Sequence, residues 1–397
     1  MIYFDHNATA PLLPEARKAW LDATQNFVGN PSSPHRLGAR ANAALEAARE
    51  KLANYLVCDP LDIVWTSGAT ESNNMVMHHV AWSGAAGNEV WASAIEHPCV
   101  LASMRRYLPK RHRLIPVTHA GTIELDWLKE APKRSPPALV ALMAVNNETG
   151  VVQPWREALS ICREHEVAFF CDAAQWIGKL PMKNLGDCDF VSGCAHKFGG
   201  PKGVGFLKCP AKGRTNSLLL GGKQEEGRRA GTENVAGVLS MLAALEVREK
   251  SLAADEPQSR LEWRDHFDRA LLGNLPGAEI VGAGQTRVWN TVSALMPEAD
   301  GQQRWVVKLD KLGFAVSTGS ACASGREEPS HVLAAMGYAP NEASRVLRFS
   351  SGWETTSAEW EALLRGLTEV HSAHRAIKAR SRPRGPHHPR PGGQRRA

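Results

Sequence analysis

No apolar run in this chain is long enough to cross a bilayer as a helix. The longest is Ala138 to Val145, against roughly 18 residues needed, so no membrane-spanning helix is expected. The start, Met1-Ile2-Tyr3-Phe4-Asp5-His6, lacks the basic and apolar stretches of a secretory signal. A cytoplasmic setting follows as the expectation. The cysteines Cys58, Cys99, Cys162, Cys171, Cys188, Cys194, Cys209 and Cys322 form no CxxC pair and no even spacing. That excludes a zinc ribbon or a disulfide framework and leaves most of them as small buried hydrophobes. An excess of one charge is also missing from the body. The chain carries +6, but seven basic residues (Lys378, Arg380, Arg382, Arg384, Arg390, Arg395, Arg396) lie between Ala376 and Ala397 with no acidic ones, and without them the rest stands at −1. Charge therefore gives no support to a nucleic-acid-binding fold. The tail, rich in Pro, Gly and Arg, cannot bury enough surface to fold. It is the one segment suited to RNA or another acidic partner.

What remains is an ordinary globular composition, with 397 residues, 43% hydrophobic and 22% charged, enough for one large domain or two moderate ones. Residues 62–66, 88–92, 139–143 and 167–171 read as short buried strands, while 39–56 and 237–250 carry apolar residues at helical spacing. Such alternation predicts an α/β fold with a mostly parallel sheet covered by helices on both faces. Beyond Pro257 the texture becomes α+β, with a helix to Leu272, strands at 288–295 and 346–350, and a closing helix at 358–371. The expected organisation is an N-terminal segment 1–14 packing with the small domain, a large domain 15–256, a small domain 257–375 and a basic disordered tail 376–397.

Three stretches carry chemistry in order. Thr66-Ser67-Gly68-Ala69-Thr70-Glu71-Ser72-Asn73 follows a strand and opens a helix, where backbone amides can close on an anion. In Phe169-Phe170-Cys171-Asp172-Ala173-Ala174-Gln175 an acid ends a very apolar strand, the place where ligands bind in open α/β sheets. In Cys194-Ala195-His196-Lys197-Phe198-Gly199-Gly200 a lysine sits among small residues. A phosphate cup, an acid and an accessible lysine are what pyridoxal 5'-phosphate requires of a protein.

With these motifs the chain resembles the class V aminotransferase group of fold-type I pyridoxal-phosphate enzymes, and within it the cysteine desulfurases of the NifS and IscS kind, from Tyr3 to about Trp353. The resemblance implies Lys197 as the Schiff-base lysine, Asp172 on the pyridine nitrogen, Gln175 on the ring hydroxyl and His97 stacked on the ring and moving protons. It places Ala69, Thr70, Cys194, Ala195 and His196 around the phosphate. Thr232, in Gly231-Thr232-Glu233-Asn234, matches the threonine that reaches the phosphate of a neighbouring subunit, which implies a homodimer. Asn147 falls beside cofactor and substrate, and Arg348 matches the arginine that grips the substrate carboxylate with paired hydrogen bonds.

Ser317-Thr318-Gly319-Ser320-Ala321-Cys322-Ala323-Ser324-Gly325 surrounds a thiol with small polar residues, the composition of an exposed loop. It resembles the longer active-site loop of the desulfurases. There Cys322 would take sulfur from L-cysteine as a persulfide, leaving alanine, with His97 raising its thiolate fraction. The sulfur would pass to an acceptor or iron–sulfur scaffold protein. No resident metal is implied, Cys322 being at most a transient iron–sulfur ligand. The alternative is an aminotransferase or lyase of the same fold, in which Cys322 is incidental. The pattern departs from the family at Cys194 and Ala195, where serine and glycine are usual, and in the basic tail.

Overall fold

The computed structural model describes residues 1–83, 89–133, 135–211, 216–254, 256–298, 302–318 and 330–380. Cys322 and the chain beyond Arg380 lie outside the described residues. A short strand β1 (Ile2–Tyr3) and helices α1 (Pro14–Asn26) and α2 (Arg36–Leu56) lead into the main sheet. Its strands are β2 (Ile63–Thr66), β3 (Val90–Ser93), β4 (His112–Ile115), β5 (Leu139–Ala141), β6 (Ala168–Asp172), β7 (Phe190–Cys194) and β8 (Gly205–Lys208). They lie in the order β2-β8-β7-β6-β5-β3-β4. Only β8 runs antiparallel to its neighbours β2 and β7; the other pairings are parallel.

Apart from the edge strand β4, both faces of the sheet are buried because successive strand residues feed different cores. Trp91, Val140, Phe169, Cys171 and Phe206 join the core that contains Leu45 of α2 and Leu242. Their neighbours Val90, Leu139, Phe170 and Leu207 join the core on the opposite face. That second core is covered by α3 (Ala69–Trp82) and α4 (Pro98–Tyr107). Helices α5 (Leu125–Glu130), α6 (Trp155–Glu164) and α7 (Val235–Ala253) complete the large domain, α6 burying Trp155, Ala158 and Leu159 in the first core. The α/β class with a mostly parallel, doubly covered sheet is as the sequence predicts.

The smaller domain begins with α8 (Glu256–Asn274). Strands β9 (Glu279–Ile280) and β10 (Thr291–Leu295), helix α9 (Gln302–Lys311), strand β11 (Phe314–Ala315), helices α10 (His331–Ala335) and α11 (Pro340–Ala343), and strand β12 (Val346–Ser350) follow. β10 lies between β9 and β12 in an antiparallel sheet. The chain start belongs to this domain: β1 pairs in parallel with β11, Phe4 is fully buried in its core, and Asp5 bridges to Ser350. The closing helix α12 (Ser357–Arg380) runs past residue 375, so the boundary expected there falls inside a helix. Its backbone continues because Ala376 to Arg380 contain no Pro or Gly, which first reappear at Pro383. No described helix is long and apolar enough to cross a membrane.

Candidate active site

A cavity of about 890 Å³ opens where the main sheet, the chain start and the small domain meet. Its floor is built from the C-terminal ends of parallel strands, the usual ligand position in open α/β sheets. The turn from β2 into α3 forms one wall. Gly68 caps α3 at φ +150° without a side-chain cap, so the first amides of the helix face the cavity beside Ala69 and Thr70. The close approach of β8 makes this possible. A side chain on Gly205 would lie 2.6 Å from Gly68 Cα and 2.5 Å from the Gly193 carbonyl.

Asp172 ends β6 and is 5% exposed. Its Oδ2 accepts from Asn73 Nδ2 at 2.7 Å and its Oδ1 from the Ala174 amide at 3.0 Å. Lys197 closes the 3₁₀ turn that follows β7, and its Nζ donates to the carbonyls of Asn7 at 2.5 Å and Ala8 at 3.0 Å. The Asn7 carbonyl also accepts from Gln175 Nε2 at 2.9 Å. Buried Lys179 holds this arrangement from behind, donating to Gln175 Oε1 at 2.5 Å and Asn7 Oδ1 at 2.9 Å. On β12, Arg348 is 1% exposed. It donates to Asp5 Oδ1 at 2.7 Å and to the Asn147 carbonyl at 3.0 Å.

His97 caps α4, its Nδ1 accepting from the Cys99 amide at 3.2 Å and lying 2.9 Å from Cys99 Sγ. Burial lowers its pKa below the usual imidazole value, with Lys197 and His331 acting in the same sense and Asp172 against. Burial likewise drives the Lys179 amine well below its ordinary value, aided by Lys197 and Arg348. The Glu148 carboxyl, which accepts from Ser330 Oγ at 2.6 Å, is raised by burial, opposed by Ser330, His331 and Arg348. His331 also lines the cavity, with its Nε2 at 2.8 Å from the Glu96 carbonyl.

Of the residues expected from the sequence, Ala69, Thr70, His97, Asn147, Asp172, Gln175, Cys194, His196, Lys197 and Arg348 all line this one cavity. Ala195 does not belong among them. It is fully buried, and its amide is committed to the Val204 carbonyl at 3.0 Å, so it shapes the lysine turn from behind. Cys194 is a wall residue whose sulfur takes the Ala69 amide, and burial pushes its thiol up to about 11. Thr232 is exposed and does not line the cavity of its own chain. Cys322 lies outside the described residues.

The sequence reading missed Asn7, Asn73, Cys99 and Lys179. Asn73 belongs to the Thr66–Asn73 motif, but nothing there points to Asp172, 99 residues away. Cys99, expected to be a packing cysteine, lines the cavity.

Comparison with known proteins agrees with this geometry. The family described as aminotransferase class-V matches residues 2–363. The cysteine desulfurase IscS of Dictyoglomus turgidum is 36% identical over 383 residues, 95% of this chain and 96% of that protein. A cysteine desulfurase of Gluconacetobacter diazotrophicus is 37% identical over 372 residues, 91% of each. Among solved structures, a NifS-like protein superposes with a TM-score of 0.85 at 31% identity, covering 94% of this chain and 99% of that one. DndA from Streptomyces lividans gives 0.72 at 30%, covering 86% and 97%.

Proposed function

The chain belongs to the class V aminotransferases, and within them to the NifS and IscS cysteine desulfurases; from that premise we propose that it takes sulfur from L-cysteine onto Cys322 and releases alanine. The observation that carries the reading is the meeting of Lys197, Asp172 and the uncapped start of α3 in one cavity. These residues fit pyridoxal phosphate, the cofactor of this family. The uncapped start of α3 at Thr70 suits its phosphate, the Asp172 carboxylate its ring nitrogen, and Lys197 its covalent attachment. When bound, the group supplies an electron sink for the pair left on the substrate's α-carbon, which weakens the neighbouring C–S bond.

The chain's own groups do the rest. Arg348 grips the substrate carboxylate, with Asn147 beside it. Lys197 receives the α-proton and holds it for return. The Cys322 thiolate attacks the substrate sulfur, the C–S bond breaks, and its electron pair stays with the carbon fragment, which is protonated and leaves as alanine. The persulfide on Cys322 then serves an acceptor protein of iron–sulfur or thio-cofactor assembly. Thr232, exposed on its loop, is suited to complete the phosphate site of a second copy, and a cytoplasmic homodimer is part of this proposal.

The test is the visible spectrum of the purified protein before and after L-cysteine, with sulfide and alanine assayed in wild type and Cys322→Ser. We expect a pyridoxal band in both and cysteine-dependent sulfide only in the wild type. Undiminished turnover in Cys322→Ser would move the protein to an aminotransferase or lyase, and no band in either would leave the site without its cofactor.

A further inference from the structure

Cys99 has no part in the chemistry above, yet it lines the cavity and touches His97. Its sulfur accepts from Asn73 Nδ2 at 3.2 Å. The Cys99 S–H has His97 Nδ1 as its acceptor at 2.9 Å. The Cys99 amide meets the same nitrogen at 3.2 Å, and a backbone N–H can only donate. Both groups facing Nδ1 therefore require a lone pair there. The direction of this chain is set from its other end, because the remaining Asn73 N–H is spent on an Asp172 carboxylate oxygen at 2.7 Å. That contact fixes which end of the Asn73 amide carries nitrogen.

We propose that Asn73 and Cys99 are positioning residues that hold His97 as its Nε2–H tautomer, so that His97 meets a bound ligand as a hydrogen-bond donor and not as a base. Accepting a proton at Nε2 in the neutral ring would first require the proton on Nδ1, against the Cys99 amide. Among the described residues, the charged and titratable groups facing His97 include Asp172 from β6, Lys197 from the turn after β7, His331 from α10 and Cys99 itself. A neutral, donating imidazole in such a site stabilises developing negative charge. The expectation that His97 draws the proton from Cys322 gives way on this reading, and that thiol must be ionised by another group. The inference rests on the desulfurase reading for what His97 meets, but not for the tautomer.

The test is ¹⁵N magnetic resonance of the histidine-labelled holoenzyme, with the His97 signals assigned by their loss in His97→Gln. We expect a pyridine-type Nδ1 and a protonated Nε2 in the wild type. In Cys99→Ala the Nδ1 resonance moves downfield as it loses the thiol donor, and in Cys99→Ser it stays near the wild-type position. An Nδ1 that carries the proton in the wild type, or one whose resonance is unchanged in Cys99→Ala, overturns the proposal. Because the tautomer is read without turnover, a wild type that releases no sulfide from cysteine would overturn the desulfurase reading alone.

Discussion

Lys179 buries an amine at 3% exposure with its bonds directed to two amide oxygens, those of Gln175 and Asn7. Removing the amine takes the Lys179 donor from buried Gln175 Oε1, at about 1–3 kcal/mol, while Asn7 Oδ1 keeps Asn290 Nδ2 at 3.1 Å. Lys179→Met keeps the length of the side chain and removes the donor, so its thermal unfolding midpoint should fall by several degrees. An unchanged or higher midpoint would mean that desolvation of the amine outweighs its bonds. This residue also marks where sequence reading stops at the smallest scale. Lys197, Asp172 and Arg348 were legible because each stands in a motif whose neighbours already suggest its task. Lys179 and Cys99 have ordinary neighbours, and their roles come from partners far along the chain, 172 residues away for Asn7 and 26 for Asn73.

At the scale of elements, the start of α3 faces the cavity because β8 passes against it without a side chain at Gly205. Gly205→Ala sets a methyl against Gly68 Cα and the Gly193 carbonyl, an overpacking that typically costs 1–3 kcal/mol. We expect Gly205→Ala to lose its pyridoxal absorbance on gel filtration more readily than the wild type, with a lower unfolding midpoint. Equal retention would show that the turn yields without moving the helix. Strands β2, β3, β5 and β6 were legible as apolar β-branched runs, while β4, β7 and β8 were not. β4 is an edge strand with Arg113 and Leu114 exposed, which hides its pattern. β7 and β8 carry Gly193 and Gly205, whose place in a strand is decided by what packs against them.

For the molecule as a whole, two imidazoles make acid a destabilising agent. Burial pushes His6 and His196 down from 6.5 to about 4 in each case, so between those values the unfolded chain binds more protons than the native one. Their contribution to stability is complete above pH 6.5 and is lost as pH falls toward 4, up to about 3 kcal/mol for the more buried His6. The buried carboxyls of Glu96 and Glu148, both raised, act in the opposite sense. The imidazole effect is therefore read as a difference. The unfolding midpoint of His6→Asn should fall less than that of wild type between pH 7 and pH 4.5, and parallel curves would remove His6 from the account. The parallel sheet and the change of texture near Pro257 were legible at this scale from alternation alone, whereas the seating of residues 2–9 was not. The same stretch has a consequence for the order in which the protein comes into being. The carbonyls of Asn7 and Ala8 hold Lys197 only while β1 lies on β11 and Asp5 on Ser350. At about 5–20 residues per second, the ribosome needs roughly 20–70 s to travel from Asp5 to Ser350. A nascent or truncated chain thus carries Lys197, Asp172 and the start of α3 without the segment that closes over them, and a finished active site certifies that translation has passed β12.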